Sequence, residues 1–228
     1  MAGPLRNLKP AHAAVGLAVL CALFLQINCS YARDVSGRFD YYVLILSWSP
    51  AYCETASGQR NQRQCGAERR YSFVVHGLWP QYNKGWPGNC DVSSHYVSNG
   101  QIAGMLSIMP SKKLVIHQWR KHGSCSGLSQ PGYFDLTREL FSRILVPARY
   151  ISPTRPILVS PGQIVADFVK TNSWLTAEMT AVHCGASKNR AVLKDLRFCF
   201  EPDGRSRKCG LNERRTCRAE KIVMPPVR

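Results

Sequence analysis

Several features that mark other classes of protein are missing from this sequence. It contains no Cys-X-X-Cys pair, so the spacing typical of zinc and redox motifs is absent. No internal repeat, low-complexity tract or long linker divides residues 33–228, which are expected to form one domain. Acidic residues are scarce, 14 against 30 Lys and Arg, giving a net charge of +16. That surplus favours polyanionic partners, nucleic acid or an anionic membrane surface, over the alternative of a basic face kept for solubility.

Long apolar runs are also missing, with one exception near the N-terminus. Ala13 to Ile27 is uncharged and mostly apolar, but at about fifteen residues it is shorter than a bilayer span of about 20. Arg6 and Lys9 precede it, and Ser30 and Ala32 supply small residues at the −3 and −1 positions of a cleavage site. This pattern predicts a signal peptide rather than a transmembrane anchor.

We therefore expect residues 1–32 to be removed and residues 33–228 to be secreted or periplasmic. A lipoprotein anchor through Cys29 is disfavoured because Asn28 stands where a small residue is expected. Of the 10 cysteines, Cys21 and Cys29 leave with the signal peptide, and the even remainder favours disulfides over zinc. No Asn-X-Ser/Thr site occurs after residue 32, which mildly favours a bacterial protein.

Helix and strand patterns alternate irregularly along the chain and predict an α+β fold. Strands are predicted at Phe39–Trp48, Tyr71–Val75, Glu178–Cys184 and Ala191–Phe200. Helices are predicted at Leu114–Lys121, at Tyr133–Leu145 and after Ser160, where Gln163 would close a capping box. The polar, arginine-rich residues 54–70 and the stretch Asn83–Asn89 are predicted to be loops, and Asp203-Gly204 a turn.

Two segments carry residues suited to acid–base chemistry. The first is Val74-Val-His76-Gly-Leu-Trp79-Pro80, in which a histidine is predicted to end a strand. The second is His117-Gln-Trp-Arg-Lys121-His122-Gly-Ser-Cys125. At 100° per residue, His117, Gln118, Lys121 and His122 fall within about 140° of a helix surface. That face suits a phosphate better than a core.

Cutting RNA without a metal requires a base for the 2′-OH, an acid for the leaving 5′-oxygen and cations for the phosphoryl oxygens. Histidine suits both proton roles because its usual pKa is about 6.5. His76 and His122 are the expected pair, with His117 and Lys121 on the phosphate. A zinc site from His76, His117 and His122 is disfavoured by its ligand spacing. His95 and His183 are expected to be structural.

These two segments resemble the active-site segments of the ribonuclease T2 family. The resemblance extends to Leu46-Ser-Trp48-Ser-Pro50-Ala-Tyr-Cys53 and to the cysteine-rich C-terminal part. It implies a mainly antiparallel sheet flanked by helices and stabilised by disulfides. It also implies an endoribonuclease that needs no cofactor or metal and releases 2′,3′-cyclic phosphate ends from single-stranded RNA, with His76 as general acid and His122 as general base.

Further implications concern the disulfides and the base site. The resemblance implies the pairs Cys53–Cys65, Cys90–Cys125, Cys184–Cys217 and Cys199–Cys209. It also implies that Trp79 stacks on a base, with Tyr82 or Trp86 as a further base-binding residue. Simple packing of the Trp79 ring is an equally good interpretation. We expect the protein to act as a monomer.

Position 118 departs from the family pattern, which usually has glutamate there. The Gln118 amide can donate a hydrogen bond to a phosphoryl oxygen. Unlike a carboxyl group, it cannot exchange a proton or carry a negative charge, so we expect reduced activity. An alternative follows from this departure, namely a weakly active or inactive secreted RNA-binding protein. A cationic membrane-active protein is a weaker alternative, because no amphipathic basic helix is evident. The basic surroundings are expected to lower both histidine pKa values and to give a bell-shaped rate profile on the acid side.

Overall fold

The structure is a computed structural model that describes Met1, Gly3 and residues 34–67, 69–187, 189–213 and 217–227. The chain divides into two units, Met1–Ala32 and Arg33–Arg228. Apart from Met1 and Gly3, the predicted signal peptide lies outside the described residues and stays a prediction. None of the helices in the described ranges has the length and apolar character needed to cross a membrane.

Within the described residues, six strands form one sheet in the order β2-β1-β5-β6-β3, and β4 also pairs with β5. All pairs are antiparallel except β5 with β6. The predicted α+β fold with a mainly antiparallel sheet flanked by helices is confirmed. The strands are β1 (Tyr41–Trp48), β2 (Phe73–Gln81), β3 (Ile157–Val159), β4 (Thr180–Ser187), β5 (Arg190–Phe200) and β6 (Ile222–Met224).

Strand β1 separates the interior into two parts because its side chains alternate between the two faces of the sheet. Tyr42, Leu44, Leu46 and Trp48 point into the main hydrophobic core, on what we call the larger face. Tyr41, Val43 and Ile45 point the other way, into a small cluster with Cys199 and Trp79, on what we call the smaller face. The next residue on the smaller face is Ser47.

Helices contribute to the larger-face core. Three helices each bury two large side chains there: Val115 and Trp119, Phe134 and Leu140, and Ile164 and Phe168. A fully buried side chain of this kind contributes about 1.5–3 kcal/mol. The α-helices are α1 (Ser49–Cys53), α2 (Ala56–Gln59), α3 (Gln62–Cys65), α4 (Asn99–Met105), α5 (Lys112–Lys121), α6 (Gln130–Ser142) and α7 (Pro161–Thr171), with 3₁₀ turns at Gly123–Cys125, Ala148–Tyr150 and Ala177–Met179.

Helix boundaries follow capping side chains that the apolar pattern alone does not reveal. Helix α5 begins before Leu114 because Ser111 Oγ accepts the amide of Leu114. Helix α6 begins at Gln130, not Tyr133, because Ser129 Oγ accepts the amide of Gly132. Ser160 caps α7 as predicted, through the amide of Gln163. The predicted capping box is not formed, because within the described residues no hydrogen bond joins the Ser160 backbone amide to the Gln163 side chain, whose Nε2 donates to Asp167 Oδ1.

The segment 54–70, predicted as a loop, contains the short helices α2 and α3. Thr55 Oγ1 accepts the amide of Gly58, and Asn61 Oδ1 accepts the amide of Gln64. These caps allow single turns to form within a polar sequence that has no apolar period.

Four disulfides link the described residues, and they are the pairs that the resemblance implies. Cys53–Cys65 joins the ends of the α1–α3 segment, and Cys199–Cys209 ties β5 to the chain that follows it. Cys184–Cys217 joins β4 to the C-terminal segment. Cys90–Cys125 joins the segment after β2 to the turn after α5, so the two predicted active-site segments are connected covalently.

Candidate active site

His76 lies in the middle of β2, not at the end of a strand as predicted. Ile45 of β1 pairs with Gly77 and Leu46 pairs with Val75, so His76 is the extra residue of a β-bulge. The bulge shifts the alternation by one residue. His76 and Trp79, three residues apart, therefore share the smaller face, with ring centroids 5.5 Å apart. His76 Nδ1 lies 3.3 Å from Ser47 Oγ of β1.

Helix α5 approaches β2 at Gly77, and the glycine makes this approach possible. A Cβ at position 77 would lie 1.9 Å from Gln118 Oε1. Gln118 is 0% exposed, and its Oε1 accepts the indole N–H of Trp79 at 2.8 Å. Its Nε2 is buried and has no hydrogen-bond partner among the residues that the structure describes. Gln118 thus supports Trp79 from beneath.

His122 is brought to the site by the end of α5 rather than by the helix face. It is the C-cap residue, and its amide donates to the carbonyl of Gln118. The chain then turns sharply at Gly123, where a Cβ would lie 2.6 Å from the Trp119 ring. Two residues later, Cys125 anchors this turn to Cys90. His117 and Lys121 therefore reach the site from one face of the helix, as predicted, whereas His122 reaches it through the turn that follows the helix.

The two segments meet at a cavity of about 370 Å³. Predicted residues that line it are His76, Trp79, Trp86, His117, Lys121 and His122. Gln118 does not line it, because its side chain lies behind Trp79. Among the described residues, no group of three or more His, Cys, Asp and Glu side chains is arranged to hold a metal ion.

Trp79 is packed between the predicted catalytic groups. Its ring stacks on His122 with centroids 4.5 Å apart and planes 10° apart. The rings of His117 and His122 meet edge to face at 6.4 Å. Of the two interpretations of Trp79, packing is thus observed directly. The ring also lines the cavity, so it is accessible for stacking on a base.

The three cavity histidines have environments that favour their neutral forms to different degrees. Burial lowers the pKa of His122 to about 3, helped by the nearby charges of Lys121, His117 and His76. Burial also lowers the pKa of His76, but the carboxylate of Asp195 opposes this shift. Burial and Lys121 lower the pKa of His117. His122 Nδ1 is buried without a hydrogen-bond partner in the described residues.

The opposite wall of the cavity is formed by residues that sequence reasoning missed. Arg197 of β5 donates through Nε to Asp195 Oδ1 at 3.0 Å and through Nη1 to Glu213 Oε1 at 3.4 Å. Burial raises the pKa of Glu213, although hydrogen bonds from Tyr41 and Arg197 oppose the shift. The alternation of polar and apolar residues from Asp195 to Cys199 is the signal that could have placed Arg197 on the smaller face.

Of the aromatic residues predicted to bind a base, Trp79 and Trp86 line the cavity and Tyr82 does not. Trp86 lines the cavity mouth and is 59% exposed. Burial together with the nearby carboxylate of Asp34 raises the pKa of the Tyr82 phenol. Asn212 fixes the intervening turn, since its side chain bonds both the amide and the carbonyl of Gly85.

Solved structures of known proteins share this fold. An RNase-related protein from Calystegia sepium superposes with a TM-score of 0.65 and 20% identity, covering 84% of this chain and 99% of that chain. RNase NT in complex with 5′-AMP gives a TM-score of 0.60 and 21% identity, covering 83% of this chain and 99% of that chain. Because both identities are low, these likenesses establish the fold alone.

Sequence comparison goes further. The pattern of the Ribonuclease T2 family matches residues 39–209. A ribonuclease of Aeromonas hydrophila is 38% identical over 173 residues, which are 76% of this chain and 77% of that protein. A probable ribonuclease of Haemophilus influenzae is 37% identical over 137 residues, 55% of this chain and 50% of that protein. The predicted resemblance is confirmed, and the chain belongs to the ribonuclease T2 family.

Proposed function

We propose that this ribonuclease cleaves single-stranded RNA without a metal ion, by transesterification through a 2′,3′-cyclic phosphate. One observation carries the proposal. His76 from β2 and His117, Lys121 and His122 from the end of α5 converge on one cavity. Two imidazoles from different segments are able to flank a phosphorus atom, as an in-line displacement requires. The binding of 5′-AMP by the relative RNase NT supports a nucleotide in this cavity.

The proton roles follow from the different environments of the two histidines. A general base has to be neutral when it meets its substrate, and His122, whose pKa burial lowers to about 3, is neutral at neutral and mildly acidic pH. A general acid has to be protonated, and His76 has a neighbouring carboxylate that favours its charged form. Environments that move two pKa values apart are the usual basis for such an assignment.

In the proposed reaction one proton moves to His122 and one leaves His76. His122 takes the proton of the 2′-OH, whose oxygen forms a bond to phosphorus. The bond from phosphorus to the 5′-oxygen breaks, and the leaving oxygen takes a proton from His76. His117 and Lys121 hold the phosphoryl oxygens as negative charge builds. Gln118 acts through Trp79, which it holds against His122, and Trp79 and Trp86 offer surfaces for a base.

The cellular setting belongs to the same proposal. Four disulfides and the leader pattern support a secreted or periplasmic protein, since disulfides persist in oxidising compartments. We expect it to act as a monomer, with all catalytic groups drawn from a single chain.

The test is cleavage of RNA in excess EDTA by the wild type and by His76→Ala, His122→Ala and His95→Ala. His95 is exposed, lies outside the cavity and serves as the matched control. We expect cleavage to persist in EDTA, with 2′,3′-cyclic ends, and to be lost only in the first two variants. DNA should bind but resist cleavage because it lacks the 2′-OH. Loss of wild-type cleavage in EDTA would refute the metal-free mechanism, and RNA binding without cleavage would favour the inactive alternative.

A further inference from the structure

Polar side chains form one row across the smaller face of the sheet, one from each of four neighbouring strands. Ser47 of β1 is the register partner of Asp195 of β5, and Asp195 is the partner of His183 of β4. The bulge in β2 brings His76 to the other side of Ser47, with Nδ1 3.3 Å from Ser47 Oγ. The order across the sheet is therefore His76, Ser47, Asp195, His183. Of this row, His76 lines the cavity.

Asp195 occupies an unusual position for a carboxylate. It is 2% exposed, although a buried carboxylate is costly unless it is paired. Arg197 provides the pairing, and its guanidinium is in turn held by Glu213. On the same strand, the larger-face positions carry only apolar residues such as Leu196 and Phe198. The buried carboxylate is thus confined to the face that carries the histidines.

The charged groups that face His76 come from two elements. Strand β5 contributes Lys194, Asp195 and Arg197. Helix α5 contributes His117 and its C-cap residue His122. The nearest group on β1 is the neutral hydroxyl of Ser47. Asp195 alone among these favours the protonated ring, and its influence on His76 is larger than that of either basic residue of β5.

We propose that Asp195 is the positioning residue for His76. From the far side of Ser47, whose Oγ lies 3.3 Å from His76 Nδ1, its negative charge orients the imidazole and keeps the ring available as a proton donor. This inference rests on the proposed role of His76 as general acid. Asp195 takes no proton itself and does not touch the substrate.

The test is the pH dependence of kcat/KM for RNA cleavage in Asp195→Asn, with Glu213→Gln as the matched control. Both substitutions remove a carboxylate from Arg197, but only Asp195 is the register partner of Ser47. Because a general acid must be protonated, we expect the alkaline limb of Asp195→Asn to move down by about one pH unit. The Glu213→Gln limb should move much less, and Asp195→Glu should restore the wild-type limb. Equal shifts in Asp195→Asn and Glu213→Gln would overturn the inference.

An NMR titration of His76 in the same variants measures the effect of Asp195 on the imidazole independently of catalysis. If wild type fails to cut RNA, the proposed function is wrong. If wild type cuts but the His76 titration is unmoved in Asp195→Asn, only this inference is wrong. Should Asp195→Asn not fold, the double variant Asp195→Asn with Arg197→Gln removes both members of the Asp195–Arg197 ion pair together. Its His76 should still titrate lower, because the influence of Asp195 exceeds that of Arg197, and an unchanged or higher titration would contradict the account.

Discussion

The two faces of the sheet use the same strands for different purposes. On the larger face, β1 and β5 present Leu44, Leu46, Leu196 and Phe198, all buried in apolar surroundings. On the smaller face, the alternate residues of these strands include Ser47, Asp195 and Arg197. The alternation of a strand therefore separates residues that stabilise the protein from residues that we propose to support catalysis. A bulge in β2, where His76 is the extra residue, completes the second set.

This comparison predicts that substitutions on the two faces will have separable effects. The largest effect on rate is expected for His122→Ala, which removes the proposed base and should lower kcat/KM for RNA by about 10²–10⁴-fold. Because the imidazole is uncharged and its buried Nδ1 has no hydrogen-bond partner among the described residues, the folded structure should persist. Steady-state kinetics and thermal unfolding of the same sample measure both quantities. A variant that kept more than a tenth of the wild-type rate would remove His122 from the mechanism.

On the larger face, Leu46→Ala should have the opposite profile. The side chain is 0% exposed, and its truncation should lower the free energy of unfolding by about 2–5 kcal/mol. The folded fraction should retain kcat/KM within about threefold. Urea unfolding and kinetics at low temperature test this pair of expectations. A hundredfold loss of rate in a folded Leu46→Ala protein would show that the two faces are not independent.

A smaller effect is expected where α5 meets the smaller face. Gln118→Glu places a carboxylate beside Trp79 and His122, which should raise the pKa of His122 by about one unit and move the acid limb of the rate profile upward. Because the Glu side chain can still accept the Trp79 N–H, turnover at the optimum should rise. Gln118→Met, of similar size, serves as the uncharged control. Turnover and limb both unchanged in Gln118→Glu would rule out this position as the reason for reduced activity.

The smallest effect concerns stability in acid. Burial lowers the pKa of His183 to about 4, below its unfolded value of about 6.5. Between these values the unfolded chain holds a proton that the folded chain lacks, so stability rises with pH and is lost on acidification through this range. His183→Gln should reduce the difference in unfolding free energy between pH 7 and pH 4 by about 2 kcal/mol. Chemical denaturation at both pH values is the measurement, and an undiminished difference would argue against a buried, neutral His183.

Sequence reasoning was most successful where a residue's role depends on its neighbours in the chain. His117 and Lys121, four residues apart on α5, face the cavity as helical geometry predicts. The fold class also followed from local patterns. Helix starts such as Ser111 and Ser129 were recoverable in principle, because caps have a recognisable residue type.

The remaining parts of the site depend on long-range geometry that a single sequence does not display. The bulge at His76 is visible only once β1 and β2 are paired. Gln118 was expected to face the phosphate, yet the close approach at Gly77 places it behind Trp79. Arg197 and Glu213 are distant from both motifs, and only the folded chain brings them to the cavity wall.

The most direct test of the account is the pH dependence of kcat/KM for RNA cleavage by the wild type in EDTA. In the proposed mechanism His122 is a neutral base with a pKa of about 3, and His76 is a protonated acid with a pKa below 6.5. We therefore expect a bell-shaped profile that has its maximum between these values and falls steadily above pH 6.5. A rate that rises continuously through pH 8 would contradict the pairing of a buried neutral base with a carboxylate-supported acid.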